Sequence, residues 1–226
     1  MARLDSIKKT NTENFKVAFT YSATPARYVL ERRAWEEAAQ LPLMRPDFLW
    51  DDFSWAQTLN LFARGIGAAR SGKIEQAKFE RAKIKKTQAS SSPNFMLYIS
   101  TEVQVQYDML GAWIRLADGA DDGAIALAKT GADLEDSLDK HPVTPGEVLP
   151  ARELYGDLLL ETGDYEAALT EYETALQVSP NRLNALLGAQ HAAAKMGATR
   201  RAKSYADIVR EQVKSGDREI VFADPN

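Results

Sequence analysis

The fold is decided by the stretch Glu153-Leu154-Tyr155-Gly156-Asp157-Leu158-Leu159-Leu160-Glu161-Thr162-Gly163-Asp164-Tyr165-Glu166-Ala167-Ala168, followed by Tyr172, Ala175 and Pro180. The small residues Gly156 and Ala168 would let two antiparallel helices approach closely, with Tyr172 filling the gap beside them. Gly163 turns the chain, and Pro180 ends the second helix. The stretch therefore predicts a helical hairpin.

The tightest part of this hairpin, a Gly five residues before an Ala, recurs along the chain. The pairs are Gly72 and Ala77, Gly119 and Ala124, Gly163 and Ala168, and Gly197 and Ala202. A degenerate fifth copy consists of Arg33, Trp35 and Ala38. Because such a repeat is the signature of stacked helical units, the sequence predicts about five hairpins.

These hairpins are expected to form one all-α domain over residues 1–226, since the period-2 alternation of strands is nearly absent. We predict them near residues 24–41, 55–86, 100–137, 150–180 and 182–214. Between them lie insertions at Pro42 to Ser54, Lys86 to Asn94, and His141 to Pro150, where helix signals fail. The first insertion is rich in aromatic residues, so we expect it to pack as a lid or an extra turn.

The repeated pattern resembles the tetratricopeptide repeat, although Arg152 stands where that pattern has Trp. The resemblance spans about residues 24–213 and is most specific at 150–181. It implies an α-α superhelix, in which the first helix of each hairpin lines a concave groove that binds peptides or proteins.

A narrower resemblance, from His141-Pro142-Val143-Thr144-Pro145-Gly146 onward to Ser179-Pro180-Asn181-Arg182, is to the C-terminal region of a group of uncharacterised bacterial tetratricopeptide proteins. Some of that group resemble longer, exported chains. The start of the sequence lacks the apolar run of a secretory signal. We therefore expect a cytoplasmic location for the sequence as written, and a periplasmic or exported one if it is a fragment of a longer chain.

Composition and motifs give no support for enzymatic chemistry. The chain has no cysteine, which excludes thiolate nucleophiles and thiolate-bound metals. The segment Gly67–Ile74 approaches a phosphate-binding loop, but Ile74 stands where a Ser or Thr must ligate magnesium. His141 and His191 are too far apart in sequence to indicate a metal site. We predict no catalytic residue, no cofactor and no metal.

The partner classes are narrowed by charge. A net charge of -4 gives no global field that would attract nucleic acid or an anionic membrane, and we expect neither as a partner. We expect a protein or peptide instead. The oligomeric state is left open by the sequence.

The alanine spacings place equivalent groove residues in register. Asp157 aligns with His191, Trp113 and Ile66; Glu153 aligns with Met109 and Phe62; Glu161 aligns with Lys195 and Arg70. The predicted groove is thus apolar in the middle and acidic beyond it, and its residues are Phe62, Ile66, Met109, Trp113, Glu153, Asp157, Glu161, His191 and Lys195. Ion pairs between hairpins are the competing interpretation of the charged members, because residues 150–181 carry seven acids and one base whereas 182–214 carry seven bases and two acids.

The leading hypothesis is a non-enzymatic scaffold that binds a peptide or protein in this groove through an exposed apolar surface. Burial of the apolar residues in the core, or under the first insertion, is the competing interpretation. The alternative function is an accessory C-terminal module of a larger enzyme or secretion assembly, whose chemistry lies elsewhere.

Overall fold

The computed structural model describes residues 14–88, 96–138, 147–214 and Gly216, and every regular element in those ranges is helical. The ten α-helices there are α1 (Phe15–Glu31), α2 (Trp35–Ala39), α3 (Ser54–Arg70), α4 (Ile74–Gln88), α5 (Met96–Ala117), α6 (Asp121–Asp136), α7 (Ala151–Thr162), α8 (Tyr165–Val178), α9 (Leu183–Lys195) and α10 (Thr199–Gln212). A short 3-10 helix, Trp50–Phe53, precedes α3. The predicted all-helical class is confirmed.

Neighbouring helices pack in pairs, as the hairpin pattern predicts. The pairs are α3 with α4, α5 with α6, α7 with α8, and α9 with α10. The first pair is uneven, since α1 has 17 residues and α2 only five. That pair also begins nine residues earlier than the predicted residue 24, because Asn14 caps α1 by accepting hydrogen bonds from the amides of Lys16 and Val17.

The turns follow the glycine pattern closely. Gly72, Gly119, Gly163 and Gly197 all adopt left-handed backbone conformations, with φ between 71° and 83°. Arg33, which occupies the glycine position of the degenerate copy, has φ 53° and so keeps the same turn. A left-handed arginine is sterically less favourable than glycine, but the turn geometry is conserved across all five hairpins.

The helices fall into two compact units. The first unit holds α1 to α6 and extends to Leu149, and the second begins at Pro150 and holds α7 to α10. In the first unit, α3 contacts α1, α2, α4 and α5. In the second, each helix contacts the next, and α7 also contacts α9.

The aromatic insertion forms the extra turn that its composition predicts. The ring centroid of Phe48 lies 4.9 Å from that of Trp50 and 5.7 Å from that of Tyr21 in α1. Trp50 also donates its indole N–H to the carbonyl of Arg45 at 2.9 Å. These residues form a hydrophobic cluster with Ala18 and Met44. Of the other insertions, residues 86–88 belong to α4, while residues 89–94 and 141–146 lie outside the described residues.

Tyr172 fills the gap beside Gly156, as predicted, and it also packs against Gly188. Its ring is fully buried between two helices, α7 and α9. A Cβ added to Gly156 would lie 2.9 Å from the ring, and one added to Gly188 would lie 2.2 Å from it. Both glycines are therefore required by the ring, which the Tyr172 hydroxyl fixes further by donating to Asp157 at 2.6 Å.

We expect Gly188→Ala to lower the free energy of unfolding by about 1–3 kcal/mol, because a buried and hydrogen-bonded ring leaves no room for the new methyl group. Urea denaturation measures the change. Gly123→Ala is the matched control on α6, where the nearest atom to the new Cβ is 3.8 Å away. The control should be neutral or stabilising by up to about 1 kcal/mol, since alanine favours the helix. Equal changes in the free energy of unfolding of the two variants would contradict this packing.

Candidate functional site

The apolar residues predicted to line an open groove are buried. Phe62 is 3% exposed, Ile66 0%, Met109 1% and Trp113 4%. The prediction of an exposed apolar surface is therefore wrong. The reason is that α3 is surrounded by four helices and that Met109 points at its hairpin partner α6, where a Cβ on Gly131 would lie 2.9 Å from the Met109 sulfur.

The acidic residues predicted beyond that surface divide into two groups. Glu153 and Asp157 are buried, and Asp157 accepts the hydrogen bond from Tyr172. Glu161, His191 and Lys195 are exposed. The predicted groove residues thus do not form a single surface. Glu153 and Asp157 are better explained as parts of the core of the second unit.

An ion pair between hairpins holds Glu153, although the register suggests other pairs, Asp157 with His191 and Glu161 with Lys195. Arg182, which precedes α9, holds the Glu153 carboxylate with two nitrogens at 2.7 and 3.3 Å. Glu173 of α8 is likewise paired with Arg201 of α10, at 2.5 Å, and accepts from the Tyr205 hydroxyl. The opposite charges of the two hairpins therefore join them through direct contacts.

A stack of three side chains lies between α2, α3 and α5. The Arg70 guanidinium lies 4.1 Å from the Trp113 ring centroid and 4.8 Å from that of Trp35. A cation between two indoles is favourable because the ring faces carry negative potential. The repeat arithmetic includes Arg70 and Trp113 but gives them different registers, so it does not predict this contact.

One face of α5 carries a row of polar side chains, of which the sequence analysis names only Trp113. Glu102, Gln106 and Trp113 fall within an arc of about 40° on an ideal helix, and we call them the α5 row. Gln106 is 6% exposed. Its Oε1 atom and the Nε1 atom of Trp113 are buried, and neither has a hydrogen-bond partner within the part of the chain that the structure describes. Each such atom costs about 1–3 kcal/mol when no partner replaces water.

Glu102, the first member of the row, lies in surroundings that disfavour its charged form. Burial raises the pKa of Glu102 to about 7, against a hydrogen bond from Tyr98 that favours the charged form. The carboxylate of Glu147 lies close enough to raise the pKa of Glu102 further. Near neutral pH this carboxyl is therefore able both to donate and to accept a hydrogen bond.

We expect Glu102→Gln to remove a pH dependence of stability. Because the pKa of Glu102 is higher in the folded than in the unfolded state, the wild type loses stability as pH rises from about 4.3 to 7, and below that range the group contributes nothing. Gln cannot ionise, so at pH 8 the variant should be more stable than wild type by roughly 1–3 kcal/mol and at pH 4.5 about equal. Urea denaturation at both pH values measures this difference. Glu161→Gln, at an exposed site, is the control. Its free energy of unfolding should differ from that of wild type by close to zero at both pH values.

A non-helical segment, Glu147–Leu149, precedes α7 in the chain. Arg27 of α1 donates from Nη2 to the main-chain carbonyl of Glu147 at 2.7 Å. Val148 and Leu149 are buried. The sequence predicts this segment as part of a connector, and a contact with an arginine 120 positions away has no local signal that could have revealed it.

No cluster of three metal-ligating side chains and no helix long and apolar enough to cross a membrane occurs among residues 14–88, 96–138 and 147–214. In comparisons with known proteins, the chain matches no family model, no curated protein and no solved structure.

Proposed function

We propose that the protein is a non-enzymatic scaffold that binds an extended segment of a peptide or protein at the α5 row. The observation that supports this proposal is the pair of buried polar atoms, Gln106 Oε1 and Trp113 Nε1, on one helix face. Buried polar groups in folded proteins are nearly always hydrogen-bonded, so two exceptions in one row require an explanation. A partner that supplies the missing bonds is the explanation that we favour.

The spacing of the two atoms favours an extended main chain as the ligand. Gln106 offers an acceptor and Trp113 a donor, and their positions are seven residues apart, or about 10 Å along the helix. An extended chain rises about 3.3 Å per residue, so an N–H and a C=O about three residues apart would match them. A helical ligand has its main-chain groups paired internally and could not serve both.

Binding at this row requires a local rearrangement. Both atoms are closed to solvent in the free protein, so a ligand reaches them only by displacing what covers them. The displacement costs free energy, but the two new hydrogen bonds offset part of that cost. The proposal thus predicts modest affinity for short peptides and a trade between stability and binding.

Gln106→Met tests directly whether stability and peptide affinity change in opposite directions. Met has a similar volume and no polar atom to leave unpaired, so we expect the variant to gain about 1–2 kcal/mol in free energy of unfolding. The same change should weaken binding at least tenfold for peptides enriched on the wild-type chain from a displayed library of random peptides. Fluorescence polarisation measures the affinities, and urea denaturation measures the stabilities.

The exposed change Gln177→Met, in the second unit, is the control, and it should alter neither quantity. If the library yields no peptide, or if the enriched peptides bind Gln106→Met as well as wild type, the α5 row is not the binding site. A chain that enriches nothing would favour the accessory-module hypothesis instead.

A further inference from the structure

We infer that the outer face of α4 is a contact surface for a second copy of this chain, which docks there with its segment 49–52. The contact places a leucine and an aspartate of one copy against a phenylalanine and lysines of the other. This inference goes beyond the proposed function and does not rest on it, because none of these residues belongs to the α5 row.

The outer face of α4 combines an exposed aromatic ring with a surplus of positive charge. Phe79 is 60% exposed, and the Lys83 ammonium lies 4.2 Å from its ring centroid. The buried carboxylate of Glu80 is shared by Arg64 and Lys83, at 2.7 and 3.4 Å, so one negative charge faces two positive ones. Lys86 is exposed and lies within about 20° of Phe79 on an ideal helix. The face is therefore apolar at Phe79 and positive around it.

Packing within one chain does not account for the Phe79 ring. Helix α4 packs on α3 and α5, and its residues Ala77 and Ile84 are fully buried. Phe79 lies roughly 140–160° away from both on an ideal helix. Phenylalanine also favours a helix less than lysine or glutamate does, so helix stability gives no reason for it at an exposed position. The ring points away from the helices of its own chain and is available to a partner.

The segment 49–52 has the complementary chemistry. Leu49 is 54% exposed, whereas the next side chain, Trp50, is buried and fixes the segment to its own unit. Asp51 and Asp52 are exposed, and no ion pair joins either of them to another of the described residues. The segment thus presents an aliphatic side chain followed by two negative charges that its own unit does not neutralise.

The spacings on the two surfaces agree. Phe79 and Lys83 are four residues apart on an α-helix, which is about 6 Å along its axis. Leu49 and Asp52 are three residues apart at the start of a 3-10 helix, where a rise of about 2.0 Å per residue also gives about 6 Å. Leu49 can therefore lie on the Phe79 ring while Asp52 reaches Lys83.

The two surfaces are satisfied between copies and not within one. In a single chain, the 3-10 helix packs on α1 and α3, whereas α4 packs on α3 and α5. Because the two surfaces differ, the contact is heterologous, and association continues head to tail into rings or short chains. Its charged part is screened by salt, so association is strongest at low ionic strength.

Sedimentation velocity of the full chain tests the inference. The average mass of wild type should rise with protein concentration at low salt and return to that of a monomer at about 1 M salt, where the Debye length is about 3 Å. Two double variants, Phe79→Ser/Lys86→Glu and Leu49→Ser/Asp52→Lys, each remove one surface. Each alone should weaken self-association at least tenfold. An equimolar mixture of the two should form dimers and nothing larger, because one intact surface of each kind remains.

The matched control is Val178→Ser/Lys195→Glu, which makes the same kind of change at exposed positions of the second unit and should associate like wild type. Circular dichroism should show the same helix content in all variants, since every changed residue is exposed. A wild type that stays monomeric at low salt would overturn the inference in favour of a different acidic partner for α4. It would also be overturned if either surface variant associates like wild type, or if the mixture stays monomeric.

Discussion

Trp113→Ala should lower the free energy of unfolding by about 3–5 kcal/mol, because truncation of a buried indole leaves a large cavity. Trp113 is 4% exposed and stacks on the Arg70 guanidinium at 4.1 Å. Removing the ring also removes one of the two indoles that enclose this cation. Urea or thermal denaturation of the variant measures the loss.

Trp113→Phe is the matched variant for the same position. It keeps an aromatic face for Arg70 and removes the indole N–H, which has no partner within the described part of the chain. We therefore expect it to cost clearly less than Trp113→Ala, about 1 kcal/mol. A small effect of Trp113→Ala would mean that the side chain is exposed in solution, as the sequence alone suggests, and would restore the open-groove hypothesis.

Arg182→Ala is the second change with a large expected effect, about 3–5 kcal/mol of unfolding free energy. Glu153 has a fully buried carboxylate, and Arg182 binds both of its oxygens. Without the guanidinium, the carboxylate stays buried without that countercharge or must be protonated. The cost is therefore that of a buried carboxylate that has lost its bidentate guanidinium, which greatly exceeds the value of a surface ion pair.

Two further variants test whether the buried charge of Glu153 causes the loss of stability. Lys129→Ala removes an exposed pair, in which Lys129 lies 2.5 Å from Asp133, and should cost less than about 1 kcal/mol. The double variant Glu153→Gln/Arg182→Ala removes the carboxylate charge as well and should recover part of the stability lost in Arg182→Ala. If the double variant is no more stable than the single one, the loss arises from packing of the arginine side chain and not from charge.

The fold was accessible from sequence because its determinants are local. A left-handed turn needs glycine or a tolerated substitute, so the recurrence of Gly72, Gly119, Gly163 and Gly197 located four turns, and Arg33 marked the fifth. Small residues beside a large one likewise predicted the Tyr172 packing, with Gly156 against its ring.

The candidate site was not accessible in the same way, because its residues meet only through tertiary contacts. Repeat arithmetic gives a register along the chain, but it does not say which helices cover a face. Phe62 and Ile66 are buried because α3 lies among four other helices. The unpaired atoms of Gln106 and Trp113 are defined by the absence of hydrogen-bond partners within the described residues, which no sequence pattern encodes.

The central claim is that the α5 row is completed by a partner. Nuclear magnetic resonance of the indole N–H groups tests it most directly, since Trp113 has an unbonded Nε1 among the described residues whereas Trp50 already donates to Arg45. The Trp113 resonance is assigned by its loss in Trp113→Phe. On addition of a library-enriched peptide, we predict that this resonance moves downfield as a hydrogen bond forms, while that of Trp50 stays in place. A peptide that saturates the protein without moving the Trp113 resonance would contradict the claim.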